Sequence, residues 1–158
     1  MELLGKNLKE YIDVIKIPVV INVVVSLIGL GISIVSALMG AALGPIGLCL
    51  GLLSGVGFLV IIFIIGIVSA VYAGYLMAKN KSGTPVQAMC AGALLGLIIG
   101  VFGAVTNLVS SVVNIALSVG TLGLNIGLAL VALIAGPILA VIIGSICGAI
   151  GGIVGKPK

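Results

Sequence analysis

The chain has 158 residues, 62% of them hydrophobic and 6% charged, with seven cationic and three acidic side chains, no histidine and a net charge of +4. A soluble domain carries charge on about a quarter of its residues, so a water-facing globule is excluded. The cations are all lysine and sit in three short segments beside apolar sequence, where lysine anchors helix ends among headgroups. Without the bidentate fork of arginine, this basic balance argues against a nucleic-acid partner.

Residues 1–16 form a leader. Leu3, Leu4, Leu8, Tyr11, Ile12 and Ile15 recur at helical spacing, with Lys6, Lys9, Glu10, Asp13 and Lys16 on the other side. The pattern predicts a short N-terminal amphipathic helix on the cytoplasmic membrane surface; the alternative is a frayed extension of the first span. The charged start is too long for a cleaved signal peptide, and the apolar run after Lys16 exceeds the roughly 7–15 residues of a signal core. A retained signal-anchor helix is therefore expected.

From Ile17 to Ala78 and from Ser82 to Gly155 no residue is charged. Apolar runs beyond about 18 residues read as membrane spans, each of about 20 residues, so each stretch holds two or three. Lysine position decides between them, because basic residues favour the cytoplasmic face. Two spans per stretch place the leader lysines, Lys79/Lys81 and Lys156/Lys158 on one side and leave both outer loops uncharged. Turn chemistry sets the boundaries: Gly44-Pro45, Asn80 to Pro85 with Thr84 as N-cap, and Gly120 to Gly123. The expected spans are 17–43, 46–78, 85–119 and 124–154, within a single membrane domain covering 17–158. At 1.5 Å per residue the longer ones overshoot a ~30 Å hydrocarbon core and must tilt, bend or protrude. Pro137 is the expected kink in the fourth. Tyr72 and Tyr75 suit an interface at the inner end of the second.

Glycine recurs at every fourth position in three runs: Gly47-Gly51-Gly55, Gly92-Gly96-Gly100 and Gly144-Gly148-Gly152. Each run makes a smooth strip, and in lipid small residues permit the close backbone approach that holds helices together. The strips fit either packing inside the chain's own bundle or a seam with a second copy, and a glycine-lined pore is a further reading. A polar stripe appears twice with the same spacing, Asn22, Ser26, Gly29, Ser33 and Ser36, then Asn107, Ser111, Asn114, Ser118 and Thr121. The second and fourth spans also share Ile46-Gly47-Leu48 with Ile126-Gly127-Leu128. Both likenesses fit a duplicated two-helix hairpin. The stripes either bond helices to one another or line a narrow path along Asn22, Ser26, Ser33, Asn107, Ser111, Asn114 and Ser118.

The expected fold is thus an all-α integral membrane protein, a four-helix transmembrane bundle. No ionisable residue is expected inside a span, which argues against proton relays, charged-solute coupling and voltage sensing. Cys49, Cys90 and Cys147 stand apart in apolar sequence and read as small apolar side chains rather than a disulfide framework or metal site. No nucleophile has a base beside it, so no catalytic residue, cofactor or enzymatic activity is expected.

The run Tyr72-Ala73-Gly74-Tyr75-Leu76-Met77-Ala78, a charged turn, then Ala88, Gly92, Gly96 and Gly100 at four-residue intervals resembles a pattern in small four-span archaeal membrane proteins of unknown function. That resemblance implies no activity to transfer. The leading expectation is a cell-membrane protein with cytoplasmic termini that self-associates or serves as an accessory subunit of a membrane complex. The alternative is a channel or facilitator for water, small neutral solutes or monovalent cations.

Overall fold

A computed structural model describes residues 2–117 and 122–156. Among the described residues a two-stranded hairpin, β1 (Glu2–Leu3) and β2 (Lys6–Asn7), precedes four helices: α1 (Leu8–Leu43), α2 (Pro45–Lys81), α3 (Pro85–Leu117) and α4 (Leu122–Val154). All four are long and apolar enough to cross a membrane. With 36, 37, 33 and 33 residues they extend about 50–55 Å at 1.5 Å per residue, well beyond a ~30 Å hydrocarbon core.

The turns follow the expected chemistry. Gly44 adopts φ 59° and donates its N–H to the Gly40 carbonyl, and Pro45 opens α2, where its missing N–H is not needed. Ser82 closes α2 in the left-handed region, and the Gly83 N–H reaches back to the Met77 carbonyl at 3.0 Å. Thr84 caps α3 reciprocally: its hydroxyl accepts the Gln87 N–H at 3.3 Å, while the Gln87 side-chain oxygen accepts the Thr84 N–H at 2.9 Å. Pro137 lies within α4 without ending it. The turn expected at Gly120 lies outside the described residues.

The leader differs from the separate surface helix that its charge pattern suggests. Residues 2–7 form the hairpin, turning at Leu4 (φ 52°) and Gly5 (φ 78°). From Leu8 the chain is already α1 and continues unbroken past Pro18. The physical reason is burial: Tyr11, Val14, Ile15 and Pro18 lie on one face, at helical spacing, and are enclosed by the other helices. Tyr11 also donates its hydroxyl to the Leu3 carbonyl at 3.1 Å, which folds the hairpin back along α1.

The start of α1, the α2–α3 turn and the end of α4 meet at one end of the bundle. Lys6 donates to the Lys81 carbonyl, Gln87 donates to the Leu4 carbonyl at 2.8 Å, and Lys81 lies 3.9 Å from Asp13. Gly155 rests against Tyr75 and Ala78. The described lysines therefore gather at this end, as the two-spans-per-stretch arithmetic requires. The core lies in the same half, with Tyr11, Val14 and Ile15 of α1 against Ala70, Ala73 and Met77 of α2, Ala88, Ala91 and Leu95 of α3, and Cys147 of α4. Outward, large apolar side chains such as Val20, Leu53 and Ile134 stand exposed along the helices. A surface of that kind suits acyl chains and would aggregate in water.

Candidate functional site

The glycine strips on α3 and α4 face each other. A Cβ at Gly92 would overlap the Gly144 carbonyl, one at Gly96 the Ala140 carbonyl, and one at Gly100 would lie 2.6 Å from the Cα of Pro137. Gly144 and Gly148 return the contact onto Gly92 and Ala88, and Gly152 abuts Ala88. Of the first strip, Gly47 presses on the Met39 carbonyl and Gly51 on Ser36, so these two hold the α1–α2 hairpin. The surroundings of Gly55 lie outside the described residues.

A further glycine face escaped the four-residue rule. Gly151 abuts the Val71 carbonyl, Gly155 the Tyr75 carbonyl, and Gly74 the Gly148 carbonyl, which brings α4 onto α2. The signal was present as Gly144, Gly148, Gly151 and Gly155, spaced four, three and four, a second helical face sharing two members with the first. Gly148 therefore sits at a junction of three helices. Both hairpins use glycine contacts, but α3 and α4 meet along facing small residues, whereas between α1 and α2 Phe58 also closes over Gly29.

Away from the lysine end a half-open cavity of about 480 Å³ lies between α1, α2 and α3. Ser26, Gly29, Ser33 and Ser36 line it from α1, and Gly51, Phe58, Leu59 and Ile62 from α2. From α3 come Ile99, Gly103, Thr106, Asn107 and Ser110. At ~30 Å³ per molecule it has room for on the order of fifteen waters. The lining carries hydroxyl and amide groups but no charge. Ser36 of α1 and Ser54 of α2 share a bond between the helices at 3.2 Å, and two hydroxyls are satisfied within their own helix, Ser54 donating to the Gly51 carbonyl and Thr106 to the Gly103 carbonyl at 2.9 Å. Such back-bonding lets a hydroxyl persist in an apolar zone without a partner helix.

The structure brings together part of the expected path. Ser26, Ser33 and Asn107 line the cavity, whereas Ser111 is not among the lining residues. Ser118 and the surroundings of Asn114 lie outside the described residues. On α3 the cavity face is Gly103, Thr106, Asn107 and Ser110, of which matching α3 to the α1 stripe selected only Asn107. Asn22 does not line the cavity. It is 3% exposed and donates to the Ser69 hydroxyl of α2 and to the Pro18 carbonyl, both at 2.8 Å. Toward the lysine end Tyr11, Pro18, Met77 and Leu95 are fully buried, so the buried Asn22–Ser69 pair adjoins a closed apolar core.

No protein-family model, curated protein or solved structure matches the chain.

Proposed function

We propose that the chain is a small multi-pass protein of the cell membrane with a structural role, self-associating or serving as an accessory subunit of a membrane complex, and without enzymatic activity. The observation that carries this reading is the division of the bundle. Its lysine-bearing half is packed shut through small residues, and its remaining length presents exposed apolar side chains and, among the described residues, no charged group. Glycine-zipper packing in this reading serves chiefly to hold α3 and α4 together, which leaves the outer apolar faces for a second copy or a partner. Copurification from native membranes in mild detergent is expected to yield a stoichiometric partner or a homo-oligomeric mass. A lone monomer under those conditions overturns the structural role.

The lysine end is assigned to the cytoplasm by the positive-inside rule, so both termini face that side. In a background with Cys49, Cys90 and Cys147 replaced by alanine, Gly120→Cys is expected to react with an impermeant maleimide added outside. Ser82→Cys is expected to react only after permeabilisation. The opposite pattern inverts the orientation.

The cavity supports a second reading, a facilitator for water, small neutral solutes or monovalent cations, because Ser26, Ser33, Thr106, Asn107 and Ser110 face one space. Its conducting route would have to pass Asn22 and Ser69 and then the apolar core. That obstruction ranks it second.

A further inference from the structure

A second hollow, of about 330 Å³, runs between α2 and α4 at the lysine end, lined by Ile67, Val68, Val71, Tyr72, Tyr75 and Val154. Its origin is the glycine contact beside it. Gly74, Gly148 and Gly151 draw the two backbones together, so larger side chains on the outer flank stand apart and leave a trough. From Ile67 to Tyr75 it follows about 12 Å of helix at 1.5 Å per residue, a length suited to the upper part of an acyl chain.

The mouth of the trough is cationic. Lys79 donates to the Tyr75 hydroxyl at 2.8 Å, with its ammonium 5.2 Å from the ring centroid, and two of its three donors remain for another acceptor. Lys156 follows the lining Val154 by two positions. Glu10 pairs with Lys6, and Asp13 with Lys16 and Lys81, all on the α1 side. Among the described residues neither Lys79 nor Lys156 has a carboxylate partner within 4.0 Å.

An apolar trough with the Lys79 ammonium on its Tyr75 end and Lys156 two residues beyond its α4 wall is complementary to one chemistry. We infer that the α2–α4 trough is a binding site for an anionic phospholipid, its acyl chain along Val68, Val71 and Tyr72 and its phosphate against Lys79 and Lys156. This rests on the membrane reading above. The occupant is a whole lipid, because a free phosphate would leave the trough unfilled and a zwitterionic lipid would bring no net negative charge.

The test is non-denaturing mass spectrometry of the full chain in detergent, titrated with phosphatidylglycerol or phosphatidylcholine bearing the same dioleoyl chains. The wild-type chain is expected to prefer phosphatidylglycerol about tenfold, in keeping with the attraction of juxtamembrane lysines for anionic lipid. K79Q/K156Q should reduce that preference to within about twofold, whereas K9Q/K16Q, with the same charge loss on α1, should retain it. V68W, at an exposed trough position, should weaken both lipids. Glycerol 3-phosphate should compete poorly. Equal losses in the two lysine pairs, a preference that survives K79Q/K156Q, binding of both lipids undiminished by V68W, or full competition by glycerol 3-phosphate overturns the site. Release of the chain from membranes by alkaline carbonate defeats the membrane reading and the lipid site together. A carbonate-resistant chain lacking lipid preference defeats the site alone.

Discussion

Gly148→Leu is expected to push α4 away from α3 while leaving each helix intact. A Cβ at this position would lie 2.6 Å from the Ala88 carbonyl oxygen, 2.9 Å from the Gly92 Cα and 3.1 Å from the Gly92 nitrogen. All three are backbone atoms, so no side-chain rotation relieves the overlap and whole helices must move apart. Overpacking of a close-packed interior costs about 1–3 kcal/mol, and a leucine against the α3 backbone belongs at or beyond the upper end. Secondary structure should survive, since each helix satisfies its backbone hydrogen bonds within itself in lipid. The expected signature is a large drop in the denaturant midpoint in mixed micelles with little change in far-ultraviolet helicity. Gly57 and Gly66 are the controls, because a Cβ there meets nothing within 4 Å. Alanine at either should leave stability unchanged or raise it by up to about 1 kcal/mol, the helix preference for alanine over glycine. A G148L chain as stable as the G57A chain would mean that the strips do not hold the bundle. If G148L changes only the assembled mass and not the stability, they are instead a seam between copies.

The sequence specified the four helices and the first two turns well because lipid-compatible segments carry long, uninterrupted signals: absence of charge, Pro at helix starts, and Thr84 as an N-cap. The lysine arithmetic likewise anticipated that the leader, the α2–α3 turn and the C-terminal segment share one end. Orientation about each helix axis was less legible. Apolar residues surround every helix, so periodicity cannot mark the buried side as it does in soluble proteins, and only small or polar residues discriminate. Tyr11 shows the difficulty. Its neighbours look amphipathic, yet their apolar face turns into the bundle, and Val14 joins it. The face of α3 on the cavity was missed for a related reason. Alignment with the α1 stripe selected Ser111, whereas the observed helix rotation presents Thr106 and Ser110. Cavities belong to the relative placement of three helices, which spacing within one helix does not encode.

The buried pair Asn22–Ser69 joins α1 to α2 where the cavity ends, and it separates the two functional readings. Asn22→Leu and Ser69→Ala are each expected to lower bundle stability by about 0.6–1.7 kcal/mol, the span found for hydrogen bonds between helices in membranes. The double variant should cost little more than either single one, because both changes remove the same bond. Ser69 then has its own helix carbonyls as an acceptor, and Asn22 loses only a partner shared with Pro18, so neither loss should approach that of Gly148→Leu. Transport provides the sharper discrimination. Asn22→Ala removes the buried amide next to the apolar core, yet Tyr11, Met77 and Leu95 remain fully buried toward the lysine end. Polar solutes do not cross an apolar core of that kind without unmatched desolvation. Proteoliposomes bearing wild-type or N22A protein are therefore expected to pass water, glycerol and potassium no faster than empty vesicles. Flux that rises in N22A and falls again on adding Asn107→Leu would show that the core opens and that the cavity is a route, with Asn22 and Ser69 as its gate.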